Sequence, residues 1–214
     1  MTSRCIRLAG QVLGASLVTG FIWSATAMSA SAQDVSSDQI IKALTPPPIT
    51  RSLTAPDQPS LSDSDRAFIE SLRHRTRSLT VDEADHAEQL ASKTPTKIDI
   101  DIYFDFNSAE VSPKAVPELN QLANALHSAQ LENSVIMLGG HTDAKGSEPY
   151  NQDLSQRRAE AVKKYLVEKL KVSPDNLSTA GYGKRDLKNT KDPYAAENRR
   201  VQIVNFSPLN QAQR

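Results

Sequence analysis

Four short apolar runs, at residues 98–104, 135–138, 177–182 and 200–206, alternate with two stretches of apolar residues at helical spacing. Together they confine this 214-residue chain to few folds. In the first run Ile98, Ile100, Ile102 and Phe104 alternate with Asp99, Asp101 and Tyr103, the period of a half-buried strand. Ser112-Pro113 then reads as an N-cap with Pro at the first helical position. Val116, Leu119, Leu122, Ala123 and Leu126 carry that helix to about Ser128. Val135 to Leu138 is a short, fully apolar strand ending at Gly139-Gly140. A second helix carries Leu154, Ala161, Val162, Tyr165, Leu166 and Leu170 on one side, and Leu177–Tyr182 and Arg200–Phe206 read as two more strands. The order β-α-β-α-β-β predicts an α+β domain over residues 98–206, a mixed sheet with two helices on one face, followed by a tail at 207–214. Its ~109 residues are about the size of a single core.

Residues 1–32 have the pattern of a secretory signal: Arg4 and Arg7, the mostly apolar stretch Leu8–Ala27, and Ala30-Ser31-Ala32 as the cleavage site. The alternative is an uncleaved anchor, since Leu8–Ala27 is just long enough to span a bilayer. Glycines and polar interruptions favour cleavage. Residues 33–97 are expected to be a Pro- and Ser-rich linker with short helices at 39–44, 64–72 and 81–92, unable to bury a core of their own. These pieces would dock on the domain, dock on an envelope partner, or stay a spacer. His74 and His86, among charged residues, are expected to be solvated.

Composition removes several functions. With 25 Lys+Arg against 25 Asp+Glu the chain has no bulk basic field for nucleic acid. Loss of the leader would take two arginines and no acid, leaving a charge of minus two. The single Cys5 excludes a disulfide framework and a Cys-based zinc site. No other stretch is apolar enough to span a membrane, so no span is expected in the mature chain. Enzyme motifs fail as well. In Gly140–Ser147 the lysine precedes the glycine, the wrong order for a phosphate loop, and Gly181-Tyr182-Gly183 has Asp186 where a third dinucleotide-loop glycine belongs. His141 and Asp143 offer two metal ligands with no third, so His141 reads as a hydrogen-bonded structural residue. No cofactor, metal or catalytic residue is implied, and a cell-wall-acting enzyme remains only as an alternative.

A binding site is easier to build. Asp143 follows the Val135–Leu138 strand, in the kind of loop where α/β sheets place ligands. Arg158 is expected near the start of the second helix. An acid and an arginine at a helix N-terminus could hold an ammonium and a carboxylate together. The spacing alone fits a plain Asp–Arg surface pair equally well.

The blocks Ile102–Ser108, Gly140–Gly146, Tyr150–Ala159, Gly181–Gly183 and Asn198–Val201 resemble the OmpA C-terminal-like domain family, over about 105 residues. That family includes the periplasmic domain of OmpA, the peptidoglycan-associated lipoprotein and MotB. The resemblance implies non-covalent binding of peptidoglycan through the diaminopimelate of its stem peptide. It implies Asp143 and Arg158 as the recognition pair, Asn107 and Asn151 as pocket residues, and Arg200 as mainly structural. It also implies a periplasmic, wall-associated location at or near the outer membrane. There is no barrel and no lipobox; the inner-membrane tether with the same wall-binding domain stands as the alternative if the leader stays attached.

Overall fold

The computed structural model describes residues 35–46, 61–94, 96–102, 104 and 108–208, all within one compact unit spanning residues 33–214. The expected leader, most of the proline-rich run and Asn107 lie outside the described residues. The elements run α1 (Ser37–Leu44), α2 (Asp63–Ser71), α3 (Val81–Ser92), β1 (Lys97–Ile100), α4 (Val116–Leu126), β2 (Ile136–His141), α5 (Glu148–Glu168), β3 (Leu177–Gly183) and β4 (Val201–Asn205). No described helix is long and apolar enough to cross a membrane.

The sheet is mixed, in the order β1-β4-β2-β3. β4 runs antiparallel to both of its neighbours, while β2 and β3 are parallel, paired from Ile136↔Leu177 onward. β2 is buried along its whole length, the condition under which a central strand reads as a continuous apolar run. Its side chains alternate between two cores. Ile136 and Leu138, with Ile203, Val201 and Leu177, face α4, α5 and α1. Met137, with Val204, Ala180 and Tyr182, packs in a second core with residues of α2 and α3.

The two expected helices, α4 and α5, do share one face. Of the outcomes left open for 33–97, the described parts dock on the domain. Ile40 and Leu44 of α1 are fully buried in the first core, and Ile69, Leu72 and Leu90 are fully buried in the second. Short helices form here because each begins with a reciprocal cap: Ser36 with Gln39, Ser62 with Asp65, Thr80 with Glu83. The caps satisfy end groups that an eight- or nine-residue helix cannot leave bare, and docking supplies the rest. Between α2 and α3 the chain also covers the free edge of β3, where Leu79 N–H donates to Thr179 O at 2.9 Å and Ser178 Oγ donates to Leu72 O at 2.8 Å. His86 is not solvated alone: its Nε2 lies 2.7 Å from Asp65 Oδ1, and its ring stacks on Phe68 at 4.4 Å, joining α3 to α2.

The close seat of α5 on the sheet depends on two glycines. A Cβ on Gly140 would run into the backbone carbonyl of Ser155, and one on Gly181 would come 2.7 Å from Gln156 N. The face of α5 above them is correspondingly small and polar: Asn151, Ser155 and Ala159, all buried. This seat fixes where the first turns of α5 stand relative to the ends of β2 and β3.

Candidate functional site

At the carboxyl end of β2 the chain leaves the sheet through Thr142 and Asp143 and enters α5, whose first helical turn carries Asn151. A cavity of about 960 Å³ opens there, lined by Asp143, Asn151 and Arg158 together with Phe104, Tyr150, Tyr194 and Arg199. Three of the four residues expected in the site therefore share one cavity. The fourth, Asn107, lies outside the described residues.

Arg158 is not near the start of its helix, as the spacing suggested. It is the eleventh residue of a 21-residue helix, three turns in, and only 7% exposed. Its Nε donates to Ser108 O at 3.2 Å, and its guanidinium carbon sits 4.9 Å from the centre of the Phe104 ring. Among the described residues no carboxylate pairs with it. Burial lowers its pKa from the usual arginine value, the neighbouring Arg199 lowers it further, and Asp143 pulls the other way. A cation held this dry without an anion is costly, and an anionic ligand group would relieve that cost.

Asp143 is held from two sides. Its Oδ1 accepts the Lys145 N–H at 3.0 Å, and its Oδ2 accepts from Arg199 Nη1 at 2.9 Å. Its side chain is 16% exposed, more enclosed than a loop-surface acid. Asn151 is buried and donates through Nδ2 to Lys145 O at 3.0 Å, so it braces the Asp143 loop with its amide. The cavity then holds one acid, Lys145 of the same loop, and two arginines, Arg158 on α5 and Arg199 just before β4. A ligand with both an ammonium and a carboxylate would meet matching groups here: the ammonium would compete with Arg199 for Asp143, and the guanidinium of Arg158 would receive the carboxylate.

Sequence reasoning passed over Arg199 and the two tyrosines. Arg199 stood beside Arg200 in a single signature, and only the geometry separates their roles. Arg200 is 4% exposed and turned away, pairing with Asp186 at 2.9 Å and Asp99 at 3.3 Å, so it is structural as expected. His141 is also buried, at 2% exposure; its main-chain N–H donates to Arg200 O at 3.0 Å, but neither ring nitrogen makes a hydrogen bond of good geometry among the described residues. It stacks on Tyr182 at 5.0 Å, and its nearest acid, Asp186, is 3.9 Å away. Burial, reinforced by Arg200, pushes its pKa down to about 3, so it is a neutral packing group beneath the site loop. No group of three or more His, Cys, Asp or Glu among the described residues could hold a metal.

Comparison with known proteins finds a family match for the segment that carries these residues. The OmpA family model matches residues 103–200, which hold Asp143, Asn151, Arg158 and Arg199. A peptidoglycan-associated lipoprotein of Buchnera aphidicola is 40% identical over 105 residues, covering 48% of this chain and 59% of that protein. Outer membrane porin F of Pseudomonas fluorescens is 37% identical over 108 residues, covering 50% of this chain and 32% of that one. The chain thus spans less than two thirds of either relative. The crystal structure of the peptidoglycan-associated lipoprotein from Burkholderia pseudomallei is 33% identical, with a TM-score of 0.42 over 49% of this chain and 87% of that one. Residues 103–200 thus form an OmpA-family domain, of the OmpA C-terminal-like kind.

Proposed function

We propose that this protein binds peptidoglycan non-covalently in the periplasm, taking the diaminopimelate end of a stem peptide into the cavity at the carboxyl end of β2. Asp143 receives the ammonium and Arg158 the carboxylate, while Asn151 braces the Asp143 loop; Asn107 is read as a further pocket residue on the family resemblance. The observation that carries the reading is the buried guanidinium of Arg158, without a carboxylate partner among the described residues, facing the same cavity as Asp143. Each stem peptide would be held with modest affinity through polar contacts in an open cleft, and a wall polymer would add avidity. The role is that of a binding module, exported by residues 1–32 and associated with the wall. An envelope partner for residues 33–97 would have to use surface left over after Ile40, Leu44, Ile69, Leu72 and Leu90 are buried.

Co-sedimentation with purified diaminopimelate-type peptidoglycan tests this. The wild-type chain is expected to pellet with the wall, and Asp143→Ala and Arg158→Ala to remain in the supernatant with the thermal transition retained. Arg158→Lys should lose most of the binding because an ammonium cannot hold a carboxylate through two parallel bonds. A folded wild type that never pellets would overturn the reading.

A further inference from the structure

The cavity is larger than its charged end requires. At about 960 Å³ it lies near the top of the ~300–1,000 Å³ range of pockets that enclose a whole drug-sized ligand, far beyond one amino-acid terminus. Its charged groups are Asp143, Lys145, Arg158 and Arg199, and the rest of the wall includes, beside smaller residues, three aromatic ones, Phe104, Tyr150 and Tyr194. The face of Phe104 is already taken by the Arg158 guanidinium. Tyr150 and Tyr194 are 41% and 65% exposed, two of the three most exposed large hydrophobic residues described.

Tyr194 is exposed without being loosely held. Pro193 O accepts the Ala144 N–H at 2.9 Å, tying this loop to the one that carries Asp143. The Tyr194 N–H donates to Asp192 Oδ1 at 3.1 Å, and Asp192 O accepts from the buried Asn198 amide at 3.1 Å. A rigid aromatic ring offered to solvent at a cavity rim gives contact area at little entropic cost.

We propose that Tyr194, with Tyr150 of the same cavity, is a saccharide platform: it stacks on the amino-sugar portion of the wall polymer whose peptide end meets the charged groups. This rests on the peptidoglycan reading above. The chemistry favours the sugar over the peptide between. A stem peptide presents carboxylates and amides, which are planar but small and strongly hydrated, and isolated methyl groups, whereas a pyranose presents a contiguous face of C–H groups that lies against an aromatic ring. The phenol hydroxyls add hydrogen-bonding partners for sugar hydroxyl and acetamido groups.

The test is a calorimetric titration of the full chain with two probes: a disaccharide-tetrapeptide containing diaminopimelate, and the same tetrapeptide without its sugars. Wild type should bind the glycosylated probe about fivefold more tightly, the size of effect aromatic stacking supplies. Tyr194→Ala should erase that difference while leaving the affinity for the bare tetrapeptide unchanged, and Tyr194→Phe should keep most of it. Equal wild-type affinity for the two probes would overturn the platform and leave the peptide site standing. Equal weakening of both probes by Tyr194→Ala would overturn it too, because the ring would then be serving the peptide. Wild type that binds neither probe would overturn the peptidoglycan reading and the platform with it.

Discussion

The core under α4 and α5 is built from large aliphatic side chains: Leu119, Leu122, Ile136, Leu138, Val162, Leu166 and Ile203 are all essentially inaccessible. The core shared with α2 and α3 is thinner. α3 contributes Ala84, Ala87 and Ala91 with Leu90 as its one large buried residue, and charged pairs do much of the remaining fastening. Glu83 pairs with Arg75 at 2.7 Å and Arg77 at 2.8 Å, Asp65 with His86 at 2.7 Å, and Asp85 with Arg185 of the loop after β3. The first core scales with apolar area and is indifferent to pH. The second leans on ionised contacts that acid or salt can loosen. The matched family region contains the whole of the first core's α4 and α5, and the helices of the second lie outside it.

The largest expected effect pits the two cores against each other. Leu122→Ala and Leu90→Ala each remove a fully buried leucine and should each cost about 3 kcal/mol, within the range for such cavities. The loss should be distributed differently. Leu122→Ala should lower the global unfolding free energy, whereas Leu90→Ala should strip hydrogen-exchange protection from α2 and α3 while the amides of β2 and β4 keep theirs. Equal loss everywhere in both variants would show that the cores unfold as one unit and would end the contrast.

A smaller effect is expected at the seam. Arg200 joins Asp99 on β1 to Asp186 in the loop after β3, beneath the stretch that carries Tyr194 and Arg199. Arg200→Met keeps most of the volume and leaves both acids without their cation. Because Asp99 and Asp186 are 24% and 44% exposed, the cost should be about 2 kcal/mol, below that of breaking a fully buried pair. Wall binding should weaken as well, since Arg199 is the next residue. Denaturant titration with co-sedimentation checks both. A stability loss with undiminished wall binding would show the site loop to be held independently of this network.

What the sequence disclosed follows the same division. The first core was legible because Leu119, Leu122, Val162 and Leu166 repeat at helical spacing and the strands between them are continuous apolar runs. The second was not, because alanines and one leucine give α3 little apolar rhythm, and the proline-rich composition nearby argues for a spacer. Its usable signal was local: Ser62…Asp65 and Thr80…Glu83 are capping boxes, as is Ser36…Gln39 ahead of α1 in the first core. In the site, Asp143 and Arg158 were named by their motifs, but the depth of Arg158 within its helix needed the glycine-mediated seat of α5. Arg199 and Tyr194 came together with Asp143 only through the loop bonds of residues 189–198, which no periodicity announces.

The smallest effect isolates charge in the second core. The paired Arg75 and Arg77 hold the Glu83 carboxyl well below the usual carboxylate range, and the His86 bond does the same more mildly for Asp65. Groups depressed on folding contribute stability that is present above their unfolded pKa, about 4, and lost as pH falls toward the folded value. Glu88 has the opposite sign: burial, then Asp186, raises its pKa, so protonation relieves a cost as pH falls. With two fasteners weakened against one strain relieved, lowering the pH from 7 to 3 should increase exchange in α2 and α3 more than in α4 and α5, once intrinsic rates are corrected. Glu83→Gln keeps the capping geometry with Thr80 but removes the charge, and should cost about 1 kcal/mol at pH 7. The same variant should flatten the acid response of α3. An unaltered response would mean that its three alanines and Leu90, rather than the Arg75–Glu83–Arg77 cluster, decide how firmly that helix sits.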